Sequence, residues 1–179
     1  MASERSSYRK IQEVLSQARS VRAESVEGLR KEIAERDPSI FRTLQYDHDT
    51  DTMLPRVSER VIRQSIKLCR VLDLLSSDGH LTDLGRAALR PAKCDETVAG
   101  QVRRKMKEQN ISLSKLNSFI VKTLHLTPPV LPTSETLWKE SGGDMPKGLF
   151  TKFLTLLSLC GCAKSAQSKI YLHIDTGSE

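Results

Sequence analysis

Cations supply most of the chemistry available to this sequence. Arg56, Arg60, Arg63, Lys67 and Arg70 recur at spacings of three and four residues, which keeps side chains on one side of an α-helix. At ~100° per residue they fall within roughly 80° of one another, and Val57, Val61, Leu68, Cys69, Leu72 and Leu75 gather opposite them. The stretch Arg56 to Leu75 therefore reads as one helix with a core face and a cationic face. Pro55 suits its first turn, Ser58 offers a cap one turn later, and Ser76-Ser77-Asp78-Gly79 ends it. Groups about 5–6 Å apart along such a row can track phosphates. Arg56, nearest the expected helix start, is the candidate for a guanine edge. An acidic protein surface would satisfy the same row. A second basic segment, Thr97 to Gln109, carries Arg103, Arg104, Lys105 and Lys107, and reads as a linker helix able to touch phosphates.

Other chemistries lack their parts. The sequence shows no nucleophile with its base, no phosphate-cradling glycine loop and no paired carboxylates in a cleft context, so no catalysis is expected. Gly142-Gly143 has no strand before it and reads as a turn. His48, His80, His125 and His173 are scattered. Of the four cysteines, Cys69 falls on an apolar helix face, Cys94 near a boundary and Cys160 at a helix end, which predicts reduced thiols without a disulfide. Cys160-Gly161-Cys162 with His173 lacks a fourth zinc ligand, and Asp47-His48-Asp49-Thr50-Asp51 reads as a solvated loop; neither cofactor nor metal is expected. No apolar run approaches the ~18 residues of a membrane span, and no signal-peptide core opens the chain, which points to an intracellular, reducing setting, cytoplasmic or nuclear. The formal net charge of +6, from 28 Lys and Arg against 22 Asp and Glu, favours an anionic partner.

Periodicity and caps set out the elements. Met1 to Ser7 is expected to be loose, and Tyr8 to Arg22 reads as a basic amphipathic helix that packs on its neighbours or on a second subunit. Ser25 caps a helix to Arg36, Asp37-Pro38 breaks it, Pro38 to Leu44 reads as a short helix, and Gln45 to Leu54 as a polar loop. Thr82 caps a short helix ending before Pro91, and Pro91 to Glu96 is the expected boundary. Ser112 or Ser114 caps the next helix, which carries Leu113, Leu116, Phe119, Ile120 and Leu124; a capped helix over Leu131 to Glu140 follows. Pro146 opens a third helix that Gly161 closes, and Cys162 to Ile174 reads as a hairpin.

A long helix closing on Leu74-Leu75, a glycine turn and then Leu81-Thr82-Asp83-Leu84-Gly85-Arg86 resemble the end of a winged-helix domain with a nearly absent wing. Three helices and a terminal hairpin over Ile111 to Ile174 resemble a second. The resemblance implies a mainly α fold of tandem winged-helix domains, three-helix cores with small β-hairpin wings: an N-terminal helix at 1–24, a first domain at 25–92, a linker helix at 93–110 and a second domain at 111–175. It implies that Arg56 to Leu75 and Pro146 to Cys160 act as recognition helices. The second of these offers Lys147, Thr151 and Lys152, and its wing offers Lys164 and Lys169. The function expected on these grounds is binding of double-stranded DNA by a regulator or by the gripping subunit of a larger nucleic-acid-processing complex. The alternative is a winged-helix adaptor that holds protein partners together. A homodimer would suit a symmetric site, with the N-terminal helix as its expected seam.

Overall fold

The computed structural model describes residues 2–21, 23–166 and 170–177. Among these are eight α-helices and two antiparallel hairpins. The chain divides into two compact units, one comprising Ser6–Pro91 and the other Ala92–Glu179 with Met1–Arg5.

Helix α1 runs Ala2–Ser20, so within the segment expected to be loose up to Ser7 the described residues are helical, and its part from Ser6 onward belongs to the first unit. Ile11, Val14 and Leu15, spaced for one face, are fully buried. Helix α2, Val26–Glu35, starts where the Ser25 hydroxyl accepts the Gly28 N–H at 3.0 Å and buries Leu29 and Ile33. The segment expected as a helix from Pro38 to Leu44 is instead a single 3-10 turn, Ser39–Phe41, that drives Phe41 into the core and then extends.

Gln45 to Leu54, expected as a polar loop, belongs to a hairpin. Strand β1, Arg42–Asp47, pairs antiparallel with β2, Thr52–Val57. Asp47 makes the turn by accepting the N–H groups of Asp49 and Thr50 at 2.9 and 3.2 Å, a side-chain substitute for backbone bonds. The hairpin consumes Pro55, Arg56 and Val57, so the long helix starts one turn later than Arg56. Helix α3 runs Glu59–Val71, capped by the Ser58 hydroxyl and opened by Glu59. It also stops short of Leu75. Leu72 caps it, and Asp73 takes a left-handed φ of 54°, which Asp tolerates. The Leu74 N–H then returns to the Cys69 carbonyl at 2.9 Å. A single bridge joins Leu75 to Leu81, and α4, Asp83–Ala88, begins on the Thr82 hydroxyl. Gly85 is required here, because a Cβ at this position would lie 2.1 Å from the Leu74 carbonyl oxygen.

The second unit holds α5, Pro91–Glu108. Pro91 is its first residue rather than a break before it, as the missing N–H at a first helical position allows. Helix α6, Leu113–Leu124, is capped by Ser112, and α7, Ser134–Ser141, by Thr133; α8 spans Lys147–Leu159 behind Pro146. Strands β3, Ala163–Ala166, and β4, Ile170–Ile174, pair antiparallel, and Thr133 adds a bridge to Ile170 on the other side of β4. Val98, Val102, Leu116, Ile120, Phe150, Phe153 and Leu157 are fully buried in this unit, with Tyr171 and Ile174 of β4 beside them. All four cysteines are free thiols, and burial pushes the Cys69 thiol far up.

Candidate nucleic-acid interface

Helix α3 presents Glu59, Arg60, Arg63, Gln64, Lys67 and Arg70 to solvent, with Ile62, Ile66, Leu68 and Cys69 in the core behind them. Four of the five cations expected in one row are therefore assembled, and the ten helical steps from Arg60 to Arg70 span roughly 15 Å. None of Arg60, Arg63, Lys67 and Arg70 makes an ion pair within 4.0 Å with another described residue. The nearest acids are occupied by a different arginine. Arg30 on α2, mostly buried, donates to both Glu27 and Glu59, with Nε to Glu27 at 2.9 Å. That hydrogen bond, reinforced by the charges of Arg30, Lys31 and Arg63, holds the Glu27 carboxyl below the usual carboxylate range. Arg30 thus engages both Glu27 and Glu59 and offsets one of their two charges, and the four cations beyond Glu59 keep the outer face of α3 net positive.

Arg56 does not join the row. It stands on β2 opposite Thr43 and pairs with Asp47, a buried carboxylate at the hairpin turn. The backbone N–H of Asp49 first, then that of Thr50 and the Arg56 charge, hold Asp47 below its ordinary range. The expected guanine contact from a helix start is therefore misplaced, because Pro55 and Arg56 are strand residues. The side chain that shares the face of Arg60 and Lys67 is Gln64, which sequence reasoning passed over. Its signal was its place four residues after Arg60, and its amide can donate to and accept from one base edge at once.

Where α3 ends, Lys67 and Arg70 line a hollow of about 540 Å³ with Ser76, Ser77 and Thr82. The hydroxyls there are already engaged: Ser76 accepts the His80 N–H at 3.1 Å, and Thr82 donates to the Asp73 carbonyl at 2.6 Å. Asp73 lines the same hollow, so the ammonium and guanidinium there share it with one carboxylate.

The cations expected in the second unit are dispersed, and several are spent internally. Arg103 on α5 pairs with Asp175 at 3.1 Å and is largely covered; Arg104 pairs with Glu108 at 2.9 Å. Lys147, at the start of α8, pairs with Glu135 of α7 at 3.0 Å, and this hydrogen bond lowers the Glu135 pKa. Thr151 is half-buried and its carbonyl accepts the Thr155 hydroxyl at 2.9 Å. Lys152 and Lys164 are exposed, Lys164 lying on β3 opposite His173. Lys169 lies outside the described residues.

Among the described residues no group of three or more His, Cys, Asp or Glu is placed to hold a metal ion, and no helix is long and apolar enough to cross a membrane. Comparison of the chain with protein-family models, with curated proteins and with solved structures returned no match in any of the three.

Proposed function

We propose that this chain is a tandem winged-helix protein that binds double-stranded DNA through the outer face of α3, as a regulator or as the DNA-gripping subunit of a larger complex. The observation that carries the reading is the row Arg60, Arg63, Lys67 and Arg70, exposed at helical spacing and making no ion pair with another described residue. Four mobile cations held on a rigid helix would each displace condensed counterions from a duplex, which is the main source of affinity for a phosphate backbone. A helix of thirteen residues, roughly 20 Å long, is of a length that can lie in a major groove. Within it Arg60, Arg63 and Gln64 sit in the N-terminal half, where a recognition helix reaches base edges. The order of elements also supports this. In the second unit three helices, α6 to α8, precede a terminal hairpin. In the first, α3 is followed by the single Leu75 to Leu81 bridge where a wing would stand. The domains proposed on this basis lie at 25–92 and 111–175, with the helix between them as a basic linker. No catalytic role is assigned to any residue.

The adaptor reading keeps a place because Leu44, Tyr46 and Met53 are exposed together on the β1/β2 hairpin, a feature that duplex binding does not use. Titration of duplex DNA at several salt concentrations separates the two. Affinity that falls steeply and linearly in log–log form with salt is expected for the DNA reading. Absence of binding even at low salt would transfer the cationic row to an acidic protein partner.

A further inference from the structure

Helix α1 has a second face with its own chemistry. Ile11, Val14 and Leu15 are fully buried, and at ~100° per residue the stripe Arg9, Gln12, Glu13, Ser16 and Arg19 falls on the opposite side. Within the first unit this stripe meets Ile40 of the 3-10 turn and Leu89, the cap residue of α4, around a cleft of about 450 Å³. One wall is polar and the floor is apolar. Arg9 and Arg19 stand at the two ends, exposed, and neither makes an ion pair with another described residue. The ten helical steps between them cover roughly 15 Å. Glu13, whose carboxylate accepts the Gln17 amide at 2.7 Å, is the acid among the lining residues and lies between the two arginines. Charge along the cleft therefore runs plus, minus, plus beside an apolar strip.

We infer that this cleft docks an extended segment of a partner protein, with acidic residues at its first and fifth positions and an apolar residue at its third. An extended chain advances ~3.3 Å per residue and turns alternate side chains to one face. The first and fifth residues then stand roughly 13 Å apart, and two long, flexible arginine side chains take up the difference from the Arg9 to Arg19 span. The third side chain shares their face and is delivered onto Ile40 and Leu89, where its burial supplies the apolar part of the affinity. On the wall, the Ser16 hydroxyl offers a donor and an acceptor to the segment's backbone. Glu13 repels a carboxylate at the centre and so fixes the sign pattern. The same residue selects against nucleic acid. A strand carries one phosphate per ~3.4 Å, so a backbone laid along the cleft would set charge beside Glu13 and leave the apolar floor uncovered. The site shares no residue with the α3 row, and it stands or falls apart from the DNA reading.

Titration of the full chain with the peptide acetyl-Glu-Ser-Leu-Ser-Glu-amide, followed by amide NMR, tests this. Saturable shifts are expected from Arg9 to Arg19 and at Ile40 and Leu89. Arg9→Ala and Arg19→Ala, at exposed positions that leave the core untouched, should each weaken binding by about two- to fivefold. Replacing the peptide's leucine by serine should weaken it about tenfold or more. A peptide with glutamate at the centre should also bind more weakly, and Glu13→Gln should recover that loss without improving the leucine peptide to the same degree. General attraction between an acidic peptide and a basic protein would not give that last result. Shifts centred on α3, equal binding of the corresponding lysine-ended peptide, or unchanged affinity in the Arg9→Ala, Arg19→Ala double variant would each overturn the assignment, as would the absence of saturable shifts at millimolar peptide.

Discussion

Helices α3 and α8 are of equal length, thirteen residues each, yet they are built oppositely. Helix α3 is capped by a hydroxyl, opened by an acid, and gives one whole side to Arg60, Arg63, Gln64, Lys67 and Arg70. Helix α8 has no side-chain cap, and beyond Lys147, Gly148 and Lys152 every one of its residues is at least half covered. Phe150, Phe153, Leu154, Leu156 and Leu157 are fully buried. The only cation in its first turn is already spent on Glu135. A helix that sinks most of its circumference has little surface left with which to read a ligand. The contrast leaves α8 to packing and is the reason the proposed DNA contact is placed on α3.

The largest effect expected from this contrast is on stability. Phe153→Ala should cost about 3–5 kcal/mol in denaturant unfolding, as for large aromatic truncations in packed cores, whereas Arg63→Ala should stay within ~0.5 kcal/mol. Comparable losses for the two substitutions would mean that α3 is as submerged as α8, and the contrast would fail.

A smaller effect concerns the hairpin that displaces Arg56 from the row. Asp47 has a folded pKa below its unfolded one, chiefly through the Asp49 N–H, so its contribution is complete above the ordinary carboxylate range. It is lost as pH falls through the lowered folded value. Amide protection factors in β1 and β2, corrected for the intrinsic exchange rate at each pH, should therefore fall on acidification in the wild type and much less in Asp47→Asn, which keeps an acceptor oxygen but not the charge. Equal acid sensitivity in both would show that Asp47 does not hold the turn.

Much of the second unit could be read from its punctuation. Ser112, Thr133 and Gly161 each sit at an element end, and the apolar positions of α6 and α8 recur at helical spacing because one side of each faces a core. The β1/β2 hairpin was invisible for the converse reason. The face of Leu44 and Tyr46 is exposed and the opposite face of β1 covers polar residues, Thr43, Gln45 and Asp47, so no apolar core imposes a clean alternation of apolar and polar residues on it. Its signals were local ones: Thr43, Leu44 and Tyr46 alternating around polar neighbours, and Asp47 placed to bond the turn. Pro55 was equally compatible with a helix start, and that single ambiguity carried Arg56 into the wrong element. The cationic row was legible because 3.6-residue periodicity does not depend on where the helix begins. Its freedom from ion pairs was not, because Arg30 reaches Glu59 across 29 residues of sequence.

The central claim is that DNA affinity resides in the α3 row rather than in positive charge at large. It is tested most directly by the salt dependence of duplex binding for three folded proteins. These are the wild type, a variant with Arg60, Arg63, Lys67 and Arg70 all changed to Ala, and a control with Arg103, Arg104, Lys147 and Lys152 all changed to Ala. With about 0.9 counterions released per phosphate contact, the α3 variant should lose roughly 3–4 units of log–log slope, and the control at most about one. An unchanged slope in the α3 variant, or a larger loss in the control, would contradict the account.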